Sequence, residues 1–203
     1  MSAFLGPIHY WMYHKIQVQQ NLVEEIVTYS KEMLPGLKKE LVQRFGESET
    51  RPLEEVIDVG NIHGWLQQQV SQVEYKLAYC VTAILNHAND KIVQLQQIFY
   101  DNGKRMVDNL ELTNAAQSYK LIQDSLLDGM PCDHVNTVMK ESDTETAWRK
   151  NTCIHGSYWA EVDGNIDIYY LLRESFIKGL LSESNFVYEK IDQDTSRIVK
   201  KNN

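Results

Sequence analysis

The residues best suited to chemistry are two Cys-x-His units, Cys132-Asp133-His134 and Cys153-Ile154-His155. In an extended strand a spacing of two puts both side chains of a unit on one face. With the turn between them centred at Asp143 and Thr144, Cys132 faces His155 and His134 faces Cys153. Cross-strand neighbours hold their Cβ atoms ~5 Å apart, so two thiolates and two imidazoles can approach a tetrahedral Zn or Fe ion. Without a metal, a neighbouring histidine lowers a cysteine pKa and creates a nucleophile, with Cys153 and His155 as the catalytic pair. Cys132, His134, Trp159 and Tyr158 then line the ligand pocket. The competing reading is structural, since a free cysteine often packs as a small hydrophobe and a histidine by a turn is often only hydrogen-bonded. Register decides among the three, because one slip or one bulge sends a pair to the opposite face.

Two strands are needed to carry these units, and the sequence offers them between Val135 and Ile154. One parity reads Val135, Thr137, Met139 and then Trp148, Thr152, Ile154, which suggests two strands sharing one apolar face. Ser142 to Glu145 supplies the turn. Asp163-Gly164-Asn165 opens a helix to about Leu181, and the stretches 186–191 and 197–200 suit further strands.

Upstream the period is helical. Residues from about Ile8 to Met33 gather Met12, Ile16, Val23 and Val27 on one side, and Leu34-Pro35-Gly36 ends the run. Leu37, Leu41 and Phe45 define a short helix with Gly46 as its cap. After a charged connection with one helical turn, Asn61 caps a helix whose Leu66, Val70, Val73, Leu77, Val81 and Ile84 form an apolar stripe. Gln67, Gln68, Gln72 and Lys76 are expected on its outward face. Further helices are expected over 90–109 and from about Asn114 to Gly129. His9 and His14, five apart, do not share a helical face, and with Tyr10, Trp11 and Tyr13 they suit an aromatic contact with another helix or a second subunit. Cys80 falls close to the apolar stripe and belongs to the core.

The fold expected from this order is α+β: one domain over 1–203, helical over 1–130, with the hairpin, a helix and C-terminal strands over 131–203. A chain of 203 residues with 43% hydrophobic residues can bury roughly 70% of its unfolded surface in one core. The net charge of −8, from 28 acidic and 20 basic residues, argues against a nucleic-acid partner, which needs Lys and Arg on one face. No apolar run approaches the ~20 residues of a membrane span. Three cysteines and no signal-like N-terminus are expected of a cytoplasmic protein. The partners expected are a small-molecule ligand and a second copy of the chain.

Gly129-Met130-Pro131-Cys132-Asp133-His134, the strand end Asn151-Thr152-Cys153-Ile154-His155, and the helix from Ile166 to Gly179 followed by Phe186-Val187-Tyr188-Glu189-Lys190 resemble the C-terminal half of the L-2-amino-thiazoline-4-carboxylic acid hydrolase-like family. The resemblance covers about a third of the chain. It implies a helix-and-hairpin fold and a hydrolase acting on a small molecule, with Cys153 as the strand-end cysteine. The family's closing Gly-Asp and late Cys are missing, and Asp194-Thr195-Ser196-Arg197 occupies that region. Phe4 to Trp11 is similar to the start of uncharacterised helical proteins of anaerobic bacteria. A non-catalytic ligand-sensing or dimerising module is the alternative.

Overall fold

A computed structural model of the chain describes residues 4–107, 110–130 and 133–201. The element order is α1 (Pro7–Ser30), α2 (Leu37–Phe45), α3 (Leu53–Val56), α4 (Ile62–His87), α5 (Ile92–Arg105), α6 (Ala115–Ser125), β1 (Asn136–Glu141), β2 (Glu145–Lys150), α7 (Gly156–Glu161), α8 (Ile166–Leu180), β3 (Phe186–Lys190) and β4 (Thr195–Lys200). The class is α+β, as expected. Among the described residues no helix is long and apolar enough to cross a membrane.

The chain forms two compact units. The first gathers Met1–Ile92, Ser125–Leu127 and His155–Ile166; the second holds Val93–Asp124, Asp128–Ile154 and Asp167–Asn203.

In the first unit α1 and α4 run in the same direction, since His9, Tyr13 and Gln19 meet His63, Trp65 and Glu74 in rising order. The α4 stripe is buried at Leu66, Val73, Leu77, Val81 and Ile84, with Val70 half-buried. Asn61 Oδ1 accepts the Gly64 amide at 3.2 Å and starts the helix. Its second side takes α2 in the opposite sense: Phe45 stacks on Tyr75 with centroids 5.5 Å apart, and Gln72 Nε2 donates to the Phe45 carbonyl at 2.6 Å. Gly46 ends α2 at φ 83°, a backbone shape that costs a glycine nothing. Gln67 and Gln68 face solvent as expected and Gln72 is half-buried, but α2 covers the C-terminal part of that face. Lys76, expected in solvent, is therefore buried, with 2% of its surface exposed.

In the second unit α5 and α8 cross at two glycines, Gly103 and Gly179, where backbone meets backbone. The sheet is antiparallel in the order β1-β2-β4-β3. One face buries Thr146, Trp148 and Ile198, and Tyr119 of α6 packs on Trp148 with centroids 4.6 Å apart. Near the turn Lys140 pairs with Ala147 and Glu141 with Thr146; beyond a bulge at Met139, Val138 pairs with Trp148 and Asn136 with Lys150. The expected apolar side of β1 is thus lost: Thr137 and Met139 are exposed, and β1 is an edge strand with almost no buried side chain. A bulge on an edge strand also discourages pairing with other chains.

Candidate functional site

The bulge acts first on the Cys-x-His units. It shifts the outer pairing by one residue, and Asn151 N–H donates to the Val135 carbonyl at 2.8 Å as the strands part. The expected opposition of His134 and Cys153 requires the pairing found only on the turn side of the bulge. His134 is exposed at φ 48°, and its carbonyl accepts the Asn151 amide group at 2.8 Å. Cys132 lies outside the described residues. Among the described residues no three His, Cys, Asp or Glu side chains gather as a metal ion requires.

Cys153 is exposed, lies in no disulfide and belongs to the second unit. Tyr170 of α8 is hydrogen-bonded to it, and burial first, then the nearby sulfur, raises the Tyr170 pKa. The Lys150 ammonium lies 4.1 Å from the centre of the Tyr170 ring and 3.4 Å from Asp194. A hydroxyl that donates to a sulfur favours its thiolate form. One turn on, Arg173 holds Asp128 through two bonds of 2.8 and 2.5 Å. Burial alone would lower the Arg173 pKa, and the Asp128 carboxylate raises it instead.

His155 belongs to the first unit and is buried. Its Nδ1 lies 2.9 Å from Glu74 Oε2, and Gln19 Nε2 donates to Glu74 Oε1 at 2.9 Å. A carboxylate oxygen accepts, so Nδ1 carries the proton. Trp159, 1% exposed, packs in the same unit, and a Cβ on Gly164 would come within 3.0 Å of its ring. Tyr158 is half-buried: its ring meets Tyr75 edge-on at 4.8 Å and its hydroxyl bonds Ser71 at 3.1 Å.

His9 also has a partner within the chain. Gly6 N–H donates to its Nδ1 at 2.9 Å, so the proton sits on Nε2, facing His63 Nε2 at 3.2 Å. That proton makes the pair a hydrogen bond rather than two metal ligands. Tyr13 meets Trp65 at 5.9 Å and Lys15 sits 3.9 Å above the Trp11 ring, so much of this aromatic segment is engaged inside the chain.

The concave feature with a charged wall lies elsewhere. A cleft of about 140 Å³ opens between α1, α2 and the segment after Gly46. Val23 and Val27 of α1 and Leu41 and Val42 of α2 give it an apolar wall, while Glu47, Ser48, Thr50 and Lys76 supply polar groups. Lys76 Nζ donates to Ser48 Oγ at 2.7 Å. Burial lowers its pKa, opposed by the charges of Glu24 and Glu47. Sequence periodicity missed this residue because the helical wheel shows one apolar stripe and not the second helix that covers the opposite side. The pairing Lys76–Ser48 spans a separation of 28 positions, and no local pattern reports it.

No protein-family model, no curated protein and no solved structure matches the chain. The hydrolase-like resemblance therefore rests on the residues that suggested it.

Proposed function

We propose that the protein binds a small molecule in the cleft of its first unit, with the ligand's polar head at Lys76. The observation that carries this reading is a lysine 2% exposed that lines an open cleft. Withdrawing an ammonium from water costs several kcal/mol unless its charge is answered by polar groups. Ser48 and the carboxylates of Glu24 and Glu47 answer part of it. A ligand carrying an acceptor would answer more, and the neighbouring valines and leucine would bury its apolar part. A ligand that binds the native state raises the melting temperature with its concentration. A screen of small polar metabolites by thermal shift should find compounds that stabilise the wild type and not Lys76→Met. Equal stabilisation of both proteins by every hit would contradict the reading.

A second reading places thiol chemistry at Cys153, and its exposure together with the Tyr170 hydroxyl bonded to it supports it. There Cys153 would act as the nucleophile of a hydrolase-like enzyme. Ester or amide turnover that disappears in Cys153→Ala and persists in Lys76→Met would favour it over the cleft. The cytoplasmic setting and the lack of a nucleic-acid partner follow from the cysteine count and the charge of −8. A homodimer would use the start of α1, where Ile8 and Tyr10 are 36% and 44% exposed; mass in solution tests it.

A further inference from the structure

We infer that the ligand of this cleft is a zwitterion, an α-amino acid with an apolar side chain; this rests on the cleft being a binding site. The first argument is size. About 140 Å³ is close to the ~150 Å³ that accommodates a benzene ring, and well below the ~300 Å³ at which sites for drug-sized ligands begin. A nucleotide or an extended cofactor would leave most of its surface outside the cleft, whereas a small molecule can bury its apolar part there.

The second argument is charge. Lys76 is the buried cation of the site, yet Glu47 and Glu24 line the same space and act on its charge. Lys38 also lines the space, but it and Glu24 satisfy each other at 3.1 Å, so a simple anion would meet the Glu47 carboxylate along with the Lys76 ammonium, in a chain of net charge −8. A simple amine would meet Lys76. A molecule with both charges a few atoms apart satisfies both. Glu24 is already held by Lys38 at 3.1 Å and by Gln20 at 3.2 Å, so Glu47, exposed on the cleft lining, is the acceptor for the ligand ammonium. The ligand carboxylate takes Lys76 and the hydroxyl of Ser48. An ammonium has three donors, and the bond to Ser48 uses one of them.

The third argument is the opposite wall. Val23, Val27, Leu41 and Val42 are all aliphatic, which suits a branched or aromatic side chain and offers nothing to a polar one.

Calorimetric titration separates the parts. The probes are L-leucine, its α-keto acid analogue, which lacks the ammonium, and 3-methylbutylamine, which lacks the carboxylate. L-leucine should bind, and each truncated analogue should bind at least about tenfold more weakly, one lost charged contact being worth 1.4 kcal/mol or more. Glu47→Gln, a change at an exposed position that leaves the core intact, should weaken leucine about tenfold and should not weaken the keto acid, which has no ammonium for Glu47 to accept and would lose a like charge. Lys76→Met should lose leucine. Keto acid binding as tight as leucine, or no binding by leucine, valine or phenylalanine, would overturn the zwitterion while a Lys76-dependent hit from the thermal screen would still uphold the cleft. Undiminished leucine binding to both variants would overturn the cleft reading as well.

Discussion

Gly103 of α5 and Gly179 of α8 each face the other helix's backbone: a Cβ on Gly103 would stand 2.1 Å from the Phe176 carbonyl oxygen, and one on Gly179 would stand 2.0 Å from that of Tyr100. Carbonyl oxygens cannot rotate away as a side-chain tip can. The contact also gives Gly179, near the end of α8, its role.

Gly103→Ala and Gly179→Ala should therefore each cost about 3 kcal/mol or more, at or above the upper end of ordinary overpacking. For a chain of this size that lowers the melting temperature by roughly 6 °C or more. Gly6→Ala and Gly36→Ala, where a Cβ meets nothing within 4 Å, are the controls and should change little. Calorimetric melting curves of the four variants check this, and unshifted curves for the first two would show that the helices can separate freely.

The buried pair His155–Glu74 should be sensitive to the loss of one member and tolerant of the loss of both. Glu74 is 1% exposed and His155 3% exposed. His155→Ala leaves Glu74 with a carboxylate oxygen in the interior and should cost about 3–5 kcal/mol. Replacing the pair with Met at 74 and Phe at 155 keeps the volume and should recover much of that loss. Denaturant unfolding of the single and double variants gives the coupling energy; additive losses would mean that the two side chains do not support one another.

Two thiols should separate cleanly in alkylation. Burial pushes the Cys80 thiol far up, so it stays protonated through the neutral and mildly alkaline range and reacts only as fast as the protein opens. Cys153 is exposed and should react first. Mass spectrometry of partially alkylated protein checks the order, and Tyr170→Phe should slow Cys153 by removing its hydroxyl partner. Equal rates for Cys80 and Cys153 in folded protein would contradict the burial of α4.

At high pH the tyrosines should set the stability. Tyr75, bonded to the Glu161 carboxylate at 2.6 Å, has its pKa raised to about 12, and burial does the same for Tyr119. A folded pKa above the unfolded value near 10 means that the native state holds protons the unfolded chain gives up. Their contribution is complete below pH 10 and is lost as pH rises toward 12. Stability measured by denaturant should fall over that interval, and Tyr119→Phe should flatten the fall. Folded protein in which every tyrosine titrates with a midpoint near pH 10 would contradict it.

The elements that the sequence foretold best are those with local signals at both ends. The span of α2 runs from Leu37 to Phe45 as the spacing and Gly46 require, and α4 starts at the Asn61 cap. The hairpin and the two C-terminal strands also form where the sequence placed them, although β1 does not keep its apolar face. What stayed hidden depends on distant partners. Met139 sits in a bulge that no residue type announces, and it moves the whole outer half of β1 onto another face. Glu74 and Lys76 look like surface residues until His155, Gln19 and Ser48 are folded against them. The sequence for this reason points to the Cys-x-His units, whose spacing is visible, and not to Lys76, whose importance comes from burial alone.

A ligand bound in the cleft leaves its mark on the residues that line it. Backbone amide resonances followed by nuclear magnetic resonance during a titration with L-leucine should move most at Gln20, Leu41, Ser48 and Lys76, and saturate together. Saturable shifts confined to Cys153, Tyr170 and their strand, with Lys76 and Ser48 unmoved, would contradict binding in the cleft.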